Sequence, residues 1–170
     1  MTRSRMALAL VVSLGVGGTF VADAVLAQDV SSFEVTAVIT DRGESIFKAW
    51  DYAHPKSFGV ESIKTARRGK VLAALVLFKG CRADSAGNCN ADVDITAYDP
   101  AGKVYGSMPG VELWQSERAP APGVMQLSRS YLGLVIEPRD PIGTYRIVVV
   151  AHDNIAKAEA KSEVSFQVGM

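Results

Sequence analysis

Apolar side chains recur at every second position along most of this chain, a period that suits strands with one buried face. Phe33, Val35, Ala37 and Ile39 alternate with Glu34, Thr36 and Thr40, and Val38 is the one break. Tyr145, Ile147, Val149 and Ala151 form a second inward row, and Val164, Phe166 and Val168 a third between Glu163, Ser165 and Gln167. Val93, Ile95 and Ala97 face one way while Asp92, Asp94 and Thr96 face the other. Residues 71–78, Val-Leu-Ala-Ala-Leu-Val-Leu-Phe, are apolar on both faces. Their length, flanking glycines and alternating neighbours point to a central strand rather than a buried helix.

The punctuation between these rows agrees. Asp99-Pro100-Ala101-Gly102 sets proline at the second turn position and glycine at the fourth. Further breaks fall at Glu137 to Gly143, at Asp153-Asn154, and at Pro120-Ala121-Pro122-Gly123. About eight short strands with a turn every ten residues or so predict an all-β sandwich. Helix is expected to be nearly absent from the folded part, with Ile155 to Lys161 the one place for a helical turn. Cys81 to Cys89 reads as a loop joining two strands in a long hairpin.

The N-terminus has another character. Arg3 and Arg5 precede an apolar run from Met6 to Val16, and Val25-Leu26-Ala27 offers small or medium side chains before a cut at Gln28. This is the pattern of a secretory signal peptide over residues 1–27, the run being too short and glycine-rich for a membrane span. No later stretch is long and apolar enough to span, so no transmembrane segment is expected in residues 28–170. Those 143 residues suit one domain. Positive residues fall from 18 to 16 once residues 1–27 are removed, and acidic ones from 18 to 17, leaving a net charge near −1. That balance lacks the basic footprint of a nucleic-acid binder. An exported chain meets an oxidising compartment, where Cys81 and Cys89, eight positions apart, are most simply a disulfide.

The stretch from Ile136-Glu137-Pro138 to Tyr145-Arg146-Ile147-Val148-Val149-Val150-Ala151 resembles the corner and penultimate strand of fibronectin type III and related immunoglobulin-like domains. In those, an apolar residue, a proline and a turn precede a tyrosine and an alternating strand. The resemblance covers about the last 35 residues. It implies an immunoglobulin-like sandwich in which Tyr145 is the corner tyrosine, its hydroxyl bonding back to upstream backbone. The close spacing of Cys81 and Cys89 departs from the wide inter-sheet disulfide of antibody domains. As a whole the chain also resembles exported bacterial domains of this kind, a likeness that implies no activity.

Candidate sites are sparse. Trp50 and Tyr52 share one face of Phe47-Lys48-Ala49-Trp50-Asp51-Tyr52, and Trp114 lies just ahead of the proline-rich loop. Flat aromatic faces stack on sugar rings or anchor protein interfaces. Trp50 reads as the core residue between the sheets; Trp114, beside loops, is as readily half-exposed as buried. Asp84, Asp92, Asp94 and Asp99, with Asn88 and Asn90, gather enough oxygens to suggest calcium, although the spacing fits no EF-hand and the same residues are ordinary turn formers. For catalysis the chain offers His54 and His152, the latter beside Asp153, and serines such as Ser128 and Ser130, none in a nucleophile elbow.

The expectation is a periplasmic or secreted, non-catalytic binding module that needs no cofactor. Its partner would be another envelope or secreted protein, met through the loops carrying Trp114 and the disulfide or through a free sheet edge. A carbohydrate-binding module using Trp114, and a small secreted hydrolase, are the alternatives.

Overall fold

The computed structural model describes residues 32–55 and 59–169; the leader read at residues 1–27 and the first residues of the expected domain lie outside the described residues. Within them the order is β1 (Glu34–Thr40), α1 (Gly43–Ala49), β2 (Thr65–Ala66), β3 (Val71–Lys79), β4 (Asn88–Tyr98), β5 (Val104–Arg118), β6 (Gln126–Leu127), β7 (Leu132–Val135), β8 (Gly143–Asp153) and β9 (Ala158–Val168).

The strands form two sheets. In the first, β3 is central and pairs antiparallel with β1 on one side and with β6 and β7 on the other. The second runs β2-β9-β8-β4-β5, antiparallel except for the short parallel β2–β9 pair. The period-two rows meet between the sheets. Ala37 and Ile39 of β1, with Leu72, Ala74, Val76 and Phe78 of β3, pack against Val93, Ile95, Ile147, Val149 and Phe166 of the second sheet. Each large side chain so buried contributes about 1.5–3 kcal/mol of transfer free energy, the main favourable term here.

The all-β sandwich expectation holds, with one refinement and two corrections. First, β3 is apolar on both faces because a second apolar cluster lies on the far side of the first sheet. Ala73, Leu75 and Leu77 point outward there, with Val38 and Leu127, and Trp50, Ile46 and Phe47 cover them. Val38, the break in the alternation of β1, faces this cluster.

Second, that cover includes a helix at residues 43–49, whereas residues 155–161 turn and enter β9. Seven residues are too few for a helix to persist alone in water. What holds α1 is packing, helped slightly by the exposed Lys48–Glu44 pair at 2.6 Å. Gly43 lets it approach closely, since a Cβ built there would lie 2.1 Å from the Cβ of Ala73. The candidate helical turn fails because Asp153 accepts the N–H groups of Ile155 and Ala156, both at 2.9 Å, and closes a tight turn instead.

Third, the loop from residue 80 to 87 crosses from the first sheet to the second, so β3 and β4 are not a hairpin. Cys81 and Cys89 are disulfide-bonded across this loop, with Cα atoms 6.1 Å apart. The loop is tied to the β8–β9 turn by Arg82 N–H, which donates to buried Asp153 at 2.6 Å. The turn at residues 99–102 does make a hairpin, joining β4 to β5; the Asp99 carboxylate accepts the N–H groups of Ala101 and Lys103.

Candidate functional site

Strand β5 carries 15 residues against the 11 of β4, and the excess is taken up at four register shifts. One decides a site. Gln115 pairs with Asn90 and Glu117 with Cys89, so Ser116 is extra and takes a left-handed φ of 56°. Regular alternation would set Ser116 beside Trp114 and turn Glu117 outward. The bulge puts Glu117 on the inward side instead, next to Trp114.

Beyond β5 the chain turns back through residues 119–124. Val124 N–H donates to Ala121 carbonyl at 3.0 Å and Gly123 has φ 75°, the type II geometry that Pro122-Gly123 favours. Strand β6 then brings Gln126, and Arg129 follows it. Gln126 is buried, and its amide is engaged at both ends. Its Oε1 accepts Trp50 Nε1–H at 2.7 Å and Leu127 N–H at 3.3 Å, and its Nε2 donates to Tyr52 carbonyl at 2.9 Å. These bonds moor the segment after α1 opposite the 119–124 loop.

Between the two segments opens a cleft of about 760 Å³. Ala53 and Pro55 form one wall, and Ala119, Pro120, Ala121 and Val124 the other. At its base the Arg129 guanidinium lies 3.8 Å from the Tyr52 ring centroid and 4.6 Å from that of Trp114. Its edge is held by Glu117, Nε donating to Oε1 at 2.8 Å and Nη2 to Oε2. These bonds raise the Arg129 pKa and keep it charged, while burial raises that of Tyr52. A partly exposed ion pair of this kind is worth at most about 1 kcal/mol, and the ring contacts add a comparable amount. Their consequence is orientation: a flat cation fixed in a mostly apolar cleft.

The residues read from sequence fall as follows. Tyr52 belongs to the cleft. Trp114 is 3% exposed, packs among Phe78 and Tyr52, and donates Nε1–H to Arg118 carbonyl at 3.0 Å. Its ring has no open face for a sugar, and it, rather than Trp50, is the tryptophan of the core between the sheets. Trp50 is buried too, but on the outer side of the first sheet. Tyr145 is buried and donates its hydroxyl to Pro141 carbonyl at 2.9 Å.

The four aspartates are not brought together. Asp84 and Asp99 cap their own loops through backbone N–H groups. Asp92 accepts from Asn154 Nδ2 at 2.7 Å and Asp94 from Gly110 N–H at 2.6 Å, both from the outer face of β4. Among the described residues no group of three histidine, cysteine or carboxylate side chains is arranged to hold a metal. His54 is exposed beside Asp51, and His152 lies on the outer face of the second sheet, 3.5 Å from Asp94. Neither lines the cleft. Ser128 is buried with its hydroxyl on Glu112 carbonyl, and supports Ser130 N–H.

Arg129, Glu117 and Gln126 were not singled out from sequence. A glutamine between loop and strand hints at a moored side chain, but only the bulge at Ser116 brings Glu117 to Arg129.

Fold and cleft together define a two-sheet β-sandwich domain with a loop-lined cleft at one end of β5. No protein-family model matches the chain, and no curated protein matches it. Among solved structures it is similar to a family 123 glycoside hydrolase from Clostridium perfringens, described for glycolipid glycan hydrolysis, at 9% identity and a TM-score of 0.39. That match covers 79% of this chain and 27% of the enzyme's. Among the described residues no helix is long and apolar enough to cross a membrane.

Proposed function

We propose that this chain is an exported, non-catalytic binding domain of immunoglobulin-like fold that holds a protein partner in the cleft between residues 52–55 and 117–129. The pairing order supports the fold reading. Strands β1, β3 and β7 follow the A-B-E order of such domains, and β9-β8-β4-β5 follows G-F-C-C′. The leader pattern and the disulfide support export, since disulfides persist in oxidising compartments.

The observation that carries the binding reading is the cleft itself, about 760 Å³ with walls of proline, alanine and valine and an oriented ion pair at its base. The β1, β2 and β5 edges are poor alternatives for strand addition. On β1, Ala37 N–H donates to Ser162 Oγ, Ile39 N–H to Ser62 Oγ, and Ile39 carbonyl accepts Ile63 N–H. Edge strand β5 is broken by its four register shifts, and β2 is two residues long. Neither described histidine lines the cleft, and its one carboxylate, Glu117, is paired with Arg129.

The test is crosslinking capture in the native envelope, comparing the full chain with a Val124→Arg form that fills the cleft from its rim. Proteins captured by the first and lost by the second support the reading. Identical capture by both overturns it.

A further inference from the structure

We infer that the cleft recognises a peptide segment in which an aspartate or glutamate is flanked by apolar residues, and that Arg129 is the group that reads the carboxylate. The inference rests on the cleft being the binding site. It adds what the occupant must look like, and the reason is a mismatch between donors and acceptors in the lining.

A guanidinium has five N–H donors, and Glu117 takes those on the Nε–Nη2 edge. The Nη1–Nη2 edge is the second fork of the same plane, of the geometry that a carboxylate matches with two parallel hydrogen bonds. Among the described residues the Arg129 side chain makes its hydrogen bonds to Glu117 alone, and the Tyr52 ring lies against the guanidinium. Arg118 stands at the cleft as well, exposed and outside the ion pairs of the described residues. The side-chain acceptors are meanwhile engaged: both Glu117 oxygens face Arg129, and the Gln126 carbonyl is on Trp50 and Leu127.

The lining therefore offers two cationic side chains, with its one carboxylate already paired. With two arginines against one glutamate, its charge complements an anion. The apolar walls favour apolar neighbours on either side of that anion. The Tyr52 and Trp114 rings lie against the guanidinium and Glu117 holds its edge, so little side-chain entropy is lost when a carboxylate meets it.

The experiment is selection of a random dodecapeptide library, displayed with its C-termini fused so that no free chain end competes, on the full chain. Selected peptides are then made synthetically with blocked ends, and binding is measured. Enriched sequences are expected to share an acidic residue between apolar ones. Acid-to-amide peptides should bind at least tenfold more weakly, as should the original peptides to Arg129→Lys protein. Arg118→Ala, which touches neither core, should weaken binding several-fold and keeps the test readable if Arg129→Lys does not fold. Peptides that lose binding to Val124→Arg protein but tolerate the acid-to-amide change would overturn the carboxylate inference and leave the cleft reading standing. Peptides indifferent to Val124→Arg would overturn both. A library that yields nothing, while an oligosaccharide of uronic acids binds and is lost with Arg129→Lys, would overturn the peptide in favour of an acidic glycan.

Discussion

Gln126 is a polar side chain sealed inside a two-residue strand, and its worth lies in the bonds it leaves behind when removed. Gln126→Leu takes the acceptor from Trp50 Nε1 and the donor from Tyr52 carbonyl. Taking a hydrogen-bond partner from buried polar groups costs about 1–3 kcal/mol, so urea denaturation should show a clearly lower midpoint at unchanged slope. Trp114→Ala should cost about 3–5 kcal/mol, the usual loss for a buried aromatic, and a change of about 1 kcal/mol or less by the same measurement would mean the ring is not in the core. Single residues were legible where pattern constrains them, as in the inward rows of β1, β4, β8 and β9. They were illegible where a partner distant in sequence decides their role. Trp50 read as the core tryptophan and Trp114 as the one beside loops, and only the sheet face each packs on reverses the two. Glu117 and Arg129 are twelve positions apart, in a stretch without a motif, and meet because of one inserted residue.

At the scale of elements, β3 was readable because eight consecutive apolar residues need two covered faces. What covers the outer face was not readable. Residues 43–52 carry apolar positions that fit period two about as well as a short helical stripe, so α1 depends on the sheet beneath it rather than on its own pattern. Gly43 shows which force wins. Alanine there raises intrinsic helix propensity by up to about 1 kcal/mol. It also drives a Cβ to 2.1 Å from Ala73 Cβ on the rigid central strand, and overpacking of that kind costs about 1–3 kcal/mol. Gly43→Ala should therefore lower the thermal midpoint; a rise would mean that α1 does not pack where it is described. The bulge in β5 gives a converse case. Ser116 holds a left-handed φ of 56°, so Ser116→Gly should keep or raise stability, whereas β-branched Ser116→Val should lower it by about 1–3 kcal/mol.

For the molecule as a whole, the sandwich followed from alternation and turn chemistry, and the sheet-to-sheet crossing of the 80–87 loop did not, because a short connection between strands reads the same in either case. The Cys81–Cys89 bond pins that crossing. Replacing both cysteines with alanine should cost about 2–3 kcal/mol in the chain-entropy picture, checked by equilibrium unfolding. Tyr52, Tyr105 and Tyr145 are all raised above the ordinary phenol range, chiefly by burial. A folded-state pKa raised for an acid means that the neutral form is preferred on folding. Their contribution is whole below about pH 10, the unfolded value, and is lost as pH rises toward the folded ones. Stability should fall above pH 10 as tyrosinate absorbance at 295 nm rises. The most direct measurement of the binding site is amide hydrogen exchange on the full chain with and without its captured partner. Slowed exchange confined to residues 52–55 and 117–129 is the predicted result. Slowed exchange at the disulfide loop or on the outer face of β4 and β8, with the cleft unchanged, would contradict it.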